Sequence, residues 1–144
     1  MFRLSFVALF LSFNTHAQQL SDCDAAANVM KEAAPLLMKA ASMYSSNSSY
    51  QDVAQWRTKH LNPEINRLNQ LFSSDPYPKT GLHTPVFTDV NANFLGRIPM
   101  MAQGIQAALR HGDKFKDDIS FNWSEAKQAG TRFAQECPEQ AKAF

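Results

Sequence analysis

Apolar residues recur at alternating steps of three and four from Ser21 to Tyr44: Cys23, Ala26, Met30, Ala33, Leu37, Ala40 and Tyr44. Such a seam marks a helix packed against other helices. Trp123, Ala126, Gly130, Phe133 and Cys137 form a similar seam near the C-terminus. Between them, Val53, Trp56, Leu61, Ile65, Leu68 and Phe72 trace one further face, and Phe87, Val90, Phe94, Ile98, Met101, Ile105 and Ala108 another. The pattern predicts an all-α fold, an antiparallel four-helix bundle.

Local signals place the boundaries. Ser21 with Asp24 resembles a capping box, in which a hydroxyl accepts an orphan backbone N–H, and a second helix is expected to start near Ser49 with Asp52 in its first turn. Thr84-Pro85 suits an N-cap followed by the first helical residue, and Gly112 suits a C-cap. The last helix is predicted from about Ser124 to Glu136, with Asn122 or Ser124 as its cap. Pro35, Pro63 and Pro99 fall inside the first three helical patterns. Each removes a backbone donor, so bent helices and a gap between them are expected. Asn62-Pro63 also permits a fresh helix start. One four-residue step too many near Ile98 predicts a local adjustment of that helix. Ser45–Ser49 and Ser73–His83 read as connections.

The N-terminal stretch changes the compartment expected. Arg3, an apolar run from Leu4 to Phe13, and Thr15-His16-Ala17 have the layout of a signal peptide occupying residues 1–17. The run falls short of the roughly 20 residues that a membrane span requires. Residues 18–144 then form a single helical domain, periplasmic or secreted, and bacterial in style, with no stable membrane span after cleavage. Removal of Arg3 leaves 13 basic against 13 acidic residues. No basic cluster points to nucleic acid, and no polybasic patch points to a membrane surface.

In an oxidising compartment the two cysteines, Cys23 and Cys137, read as a disulfide. It joins the start of the first helix to the end of the last and closes the bundle. The chain-entropy model assigns such a long loop on the order of 4–5 kcal/mol of stabilisation. The alternative use of Cys23 is lipid attachment at Leu20-Ser21-Asp22-Cys23. Against it, Asp22 is a poor residue before a modified cysteine, and the apolar run ends far upstream.

The sequence carries no catalytic motif. His60, His83 and His111 have none around them, and H-E-x-x-H, Cys-x-x-Cys and a Gly-rich phosphate loop are absent. Asp117-Asp118 reads as a solvated charge run. No metal site is assigned; His111 with Asp113 is too sparse a pair. The irregular Ser73–His83 stretch, with Pro76, Pro78 and Gly81, is the first candidate for function, because loops on a rigid frame often carry it. Its binding candidates are Tyr77, Lys79 and His83, with packing of Tyr77 onto a helix as the structural alternative.

The exported helical pattern, with Gln106-Ala107-Ala108-Leu109 followed by Gly112 and Lys114, resembles the cytochrome b562 group of periplasmic four-helix bundles. The resemblance covers most of the mature chain as architecture. It implies a bundle fold and, as an alternative function, b-type haem or metal binding with Met30 as a ligand. The last helix here contains no histidine, which that family uses as its second ligand. The expectation is therefore a non-enzymatic binding protein without a cofactor. Its partner would be a periplasmic protein, as for an inhibitor or immunity-type protein of a secreted hydrolase or toxin.

Overall fold

A computed structural model describes residues 19–144; the export signal expected over residues 1–17 lies outside them. Among the described residues there are α1 (Asp22–Ser45), α2 (Tyr50–Trp56), α3 (Asn62–Phe72), α4 (Pro85–Asp89), α5 (Arg97–His111), α6 (Lys116–Glu136) and α7 (Pro138–Ala141), and no strand. A π-helical turn, Arg57–Leu61, joins α2 to α3. A second, Val90–Leu95, follows α4, and a 3-10 turn, Asp113–Phe115, precedes α6.

The α1 seam buries Ala26, Met30, Ala33, Leu37 and Ala40 as expected, but Met43 rather than Tyr44 closes it. Ser21 caps α1 by accepting the Asp24 N–H at 3.1 Å. Pro35 sits on the exposed side, and α1 passes through it as one helix. Ser49 and Asp52 form the reciprocal capping box at the start of α2.

The two π turns answer the other two prolines. A proline cannot donate to the carbonyl four residues back, and its ring crowds that carbonyl. For Pro63 the carbonyl belongs to Lys59, and for Pro99 to Leu95; each lies in a π turn. A π turn pairs an N–H with the carbonyl five residues back. Asn62 N–H thus bonds to the Arg57 oxygen, and Gly96 N–H to the Asn91 oxygen at 3.1 Å. The extra residue shows in the apolar faces: the first turn spans the five-residue step from Trp56 to Leu61, and the second lies across the steps Val90, Phe94, Ile98. The adjustment expected near Ile98 is this second turn. It also fixes the identity of residue 96, because a Cβ there would collide with the Ala92 carbonyl oxygen.

Helix α6 corrects the expected boundary. It starts at Lys116, not near Ser124, after Gly112 ends α5 with φ of 81° and an N–H bond to the Ala108 oxygen. Asp117 and Asp118 occupy its first turn, where they oppose the positive end of the helix dipole. Asn122, expected as a cap, is instead mid-helix and buried. Its amide nitrogen donates to the Asp118 oxygen at 2.8 Å, and its side-chain oxygen accepts from Arg97 at 3.5 Å. The true seam is Ile119, Asn122, Ala126, Ala129 and Phe133, so Trp123 and Gly130 lie off its centre.

Packing unites these elements. α5 lies along α6, α2 meets α5, and α1 contacts α4, the second π turn, α5, α6 and α7. Phe87, Phe133, Leu61, Leu68 and Ile98 are among the largest side chains fully withdrawn from water, each worth about 1.5–3 kcal/mol. The Cys23–Cys137 disulfide closes the fold, with Cα atoms 5.6 Å apart across a separation of 114 residues. The sulfur of Cys23, the alternative lipid-attachment residue, is engaged in this bond. Arg132 clasps Asp89 through two hydrogen bonds, at 2.7 and 2.9 Å, and Asn93 adds a third at 2.8 Å.

Replacing Gly96 with Ala forces the π-turn carbonyl to move, and should cost about 1–3 kcal/mol in urea denaturation; an unchanged midpoint would refute the collision. Hydrogen bonds from Arg132, and then from Asn93, hold the Asp89 carboxyl below its ordinary value of 3.8. A lowered folded value stabilises the protein above the unfolded value and loses that contribution as pH falls through the folded one. Wild type should therefore exceed Asp89→Asn by about 1–2 kcal/mol near neutral pH, with the gap closing below about pH 4. A gap constant across that range would count against the pair.

Candidate functional site

The connection between α3 and α4 is a loop with a fixed base and a free apex. Leu20 N–H donates to the Pro76 oxygen at 2.9 Å, Gly81 N–H to the Thr88 hydroxyl at 2.8 Å, and Tyr77 N–H to the Ser74 oxygen at 3.0 Å. Tyr77 packs edge-on to Phe72, with ring centres 5.0 Å apart, and stacks on Phe87 at 6.1 Å. Its ring thus belongs to the fold, the structural alternative for this residue.

The N-terminus of α4 departs from expectation. Thr84 precedes Pro85 but makes no capping bond; its hydroxyl donates to the Lys79 oxygen at 3.0 Å within the loop. The orphan N–H groups of α4 are taken by Asp22 from the start of α1: Phe87 N–H at 2.8 Å and Val86 N–H at 3.1 Å. One carboxylate thereby ties the loop's exit to the start of α1, beside Cys23.

Tyr77, Lys79 and His83 are brought together around one cavity of about 670 Å³, lined also by Leu20, Asp22, Asp75, Pro76, Pro78 and Thr84. Lys79 and His83 are exposed, so the cavity has a polar rim. Between them stands Leu82, 96% exposed. Sequence reading passed over Leu82, although a lone large apolar residue beside Gly81 was the available signal.

A second cavity, about 750 Å³, runs between α1 and the first π turn with α3. Pro35 and Pro63 both line it, so two of the three helix prolines border one opening. Arg67 spans it, bonding Glu32 at 2.8 Å and Glu64 at 2.6 Å.

His60, His83 and His111 are exposed on separate elements. Among the described residues no group of three or more His, Cys, Asp or Glu is placed to hold a metal ion. Met30 is buried against Gly130, and α6 carries no histidine. No described helix is long and apolar enough to cross a membrane. No family model matches the chain, and neither does any curated protein or solved structure.

Asp22→Ala should remove the α4 cap and cost about 1–2 kcal/mol. Amide exchange of Val86 and Phe87 should quicken while the disulfide stays intact. Unaltered protection of those two amides would show that the carboxylate does not cap α4.

Proposed function

We propose that this chain is an exported, non-enzymatic binding protein that meets a protein partner in the periplasm through the α3–α4 loop. The observation that carries the reading is Leu82, almost wholly in water at the apex of a loop whose base is tied down by backbone bonds and by Asp22. Holding an apolar side chain in water is unfavourable, and interfaces centre on such anchors with polar residues at the rim. Lys79 and His83 supply that rim, and a preorganised base lowers the ordering cost of association. A secreted hydrolase or toxin held inactive by such a contact is the partner type in view.

We further infer that the helical segments group into four runs, 22–45, 50–72, 85–111 and 116–136. Laid antiparallel and bent near their prolines, they form the frame that presents the loop. The return of Cys137 to Cys23 supports this arrangement.

The test places a photo-crosslinking residue at position 82 of the oxidised mature protein in periplasmic extract, with position 128 on α6 as control. A single adduct specific to position 82 is expected. Leu82→Asp, made alongside a crosslinker at Lys79, should weaken capture at least roughly tenfold. Tyr77 is left intact because its ring packs on Phe72 and Phe87. Equal adducts at 82 and 128, or indifference to Leu82→Asp, would sink the assignment.

A further inference from the structure

Five arginines lie among the described residues, and the structure divides them. Arg67 pairs with Glu32 and Glu64, Arg97 reaches Glu125 at 4.0 Å, and Arg132 pairs with Asp89. Arg57 and Arg110 have no carboxylate partner among the described residues. These two, 53 positions apart in the chain, line the same cavity of about 240 Å³, with His111, Tyr50, Gln103 and Gln106. No acidic residue lines it. The nearby acids in sequence are engaged elsewhere: Asp52 in the α2 capping box, Asp113 with Lys116 at 3.0 Å.

We propose that this cavity binds a small oxyanion, a phosphate or a carboxylate, between the Arg57 and Arg110 guanidinium groups. Arg57 is half-buried at the junction of α2 with the first π turn. Its Nη1 donates to the Gln106 side-chain oxygen, while its Nε is buried without any partner. A half-buried guanidinium with no counter-charge is costly, and an anion from solution relieves that cost. Arg110 is steadied from the other side, its guanidinium carbon 5.8 Å from the centre of the Tyr50 ring. The planar fork of arginine matches the two-oxygen edge of a carboxylate or phosphate.

A plainer cause exists for part of the cluster. Arg110 and His111 occupy the last turn of α5, where the helix dipole favours cations. That accounts for neither Arg57, on a different element, nor the exclusion of every carboxylate from the lining. The volume suits a small group: it is several times the roughly 30 Å³ that a water occupies in the liquid. The site shares no lining residue with the loop cavity, so either can fail without the other.

The experiment is calorimetric titration of the oxidised protein with inorganic phosphate and, separately, acetate, at ionic strength held constant with chloride. Saturable one-to-one binding of at least one anion is expected, and which one binds identifies the class of oxyanion. Arg57→Gln and Arg110→Gln should each weaken it by roughly tenfold, the worth of one charge-assisted hydrogen bond. The double variant should abolish it, and Arg67→Gln should leave it unchanged. If circular dichroism shows Arg57→Gln misfolded, the exposed Arg110→Gln decides alone. No saturable heat with either anion, or undiminished binding in Arg110→Gln, overturns the proposal.

Discussion

Four consecutive residues at the start of α1 hold the molecule together at one pole. Ser21 caps its own helix through the Asp24 N–H. Asp22 caps α4, Cys23 is joined to Cys137 at the end of α6, and Asp24 accepts from Gln140 of α7 at 3.0 Å. Leu20, one residue earlier, donates to Pro76 of the loop. A helix start has orphan donors and a positive end, so acidic and hydroxyl side chains gather there for local reasons. Here the same chemistry is turned outward as well. The disulfide sets which chain ends meet, and the carboxylates on either side of it set how α4 and α7 lie against them.

The prolines impose a second constraint, and the chain meets it in two ways. At Pro35 the ring faces water and α1 continues. At Pro63 and Pro99 the crowded carbonyls fall inside π turns, which widen the helix and admit one extra residue. That extra residue keeps Leu61 and Ile98 in the core, where a regular helix would carry the apolar face away from it. Gly96 is the residue cost of the second turn, since the Ala92 oxygen fills the space of a side chain.

Much of this was legible in the sequence, and the exceptions have identifiable physical causes. The α1 seam, the Ser21 cap, Gly112 and the disulfide follow from periodicity and local chemistry, which a linear reading sees. The start of α6 did not, because Asn122 is a polar residue on the core face, so periodicity put the seam one position late. Burial of Asn122 is tolerable only because Asp118 and Arg97 satisfy it. The cap of α4 was assigned to Thr84 on adjacency, whereas a carboxylate 64 positions away won it; a charged acceptor makes stronger hydrogen bonds than a hydroxyl. The five-residue step from Trp56 to Leu61 was a visible sign of a π turn. The loop was found from its prolines and glycine, which also brought Tyr77, Lys79 and His83 to one cavity. Its apex residue, Leu82, and the Arg57–Arg110 pair were not found, since neither belongs to a motif.

Net charge illustrates why such pairs escape a linear reading. Nearly equal numbers of acids and bases, 13 against 14, suggest a surface without electrostatic preference, yet the fold sorts them. Arg67, Arg97 and Arg132 are matched by carboxylates, and helix starts absorb Asp22, Asp24, Asp52, Asp117 and Asp118. Every acid spent on a cap is unavailable to balance an arginine elsewhere. The surplus cations then collect where the start of α2 meets the end of α5, and the acid at that start, Asp52, is spent on its own capping box. Local charge in a nearly neutral protein is thus a by-product of capping, and capping is set by where the helices begin.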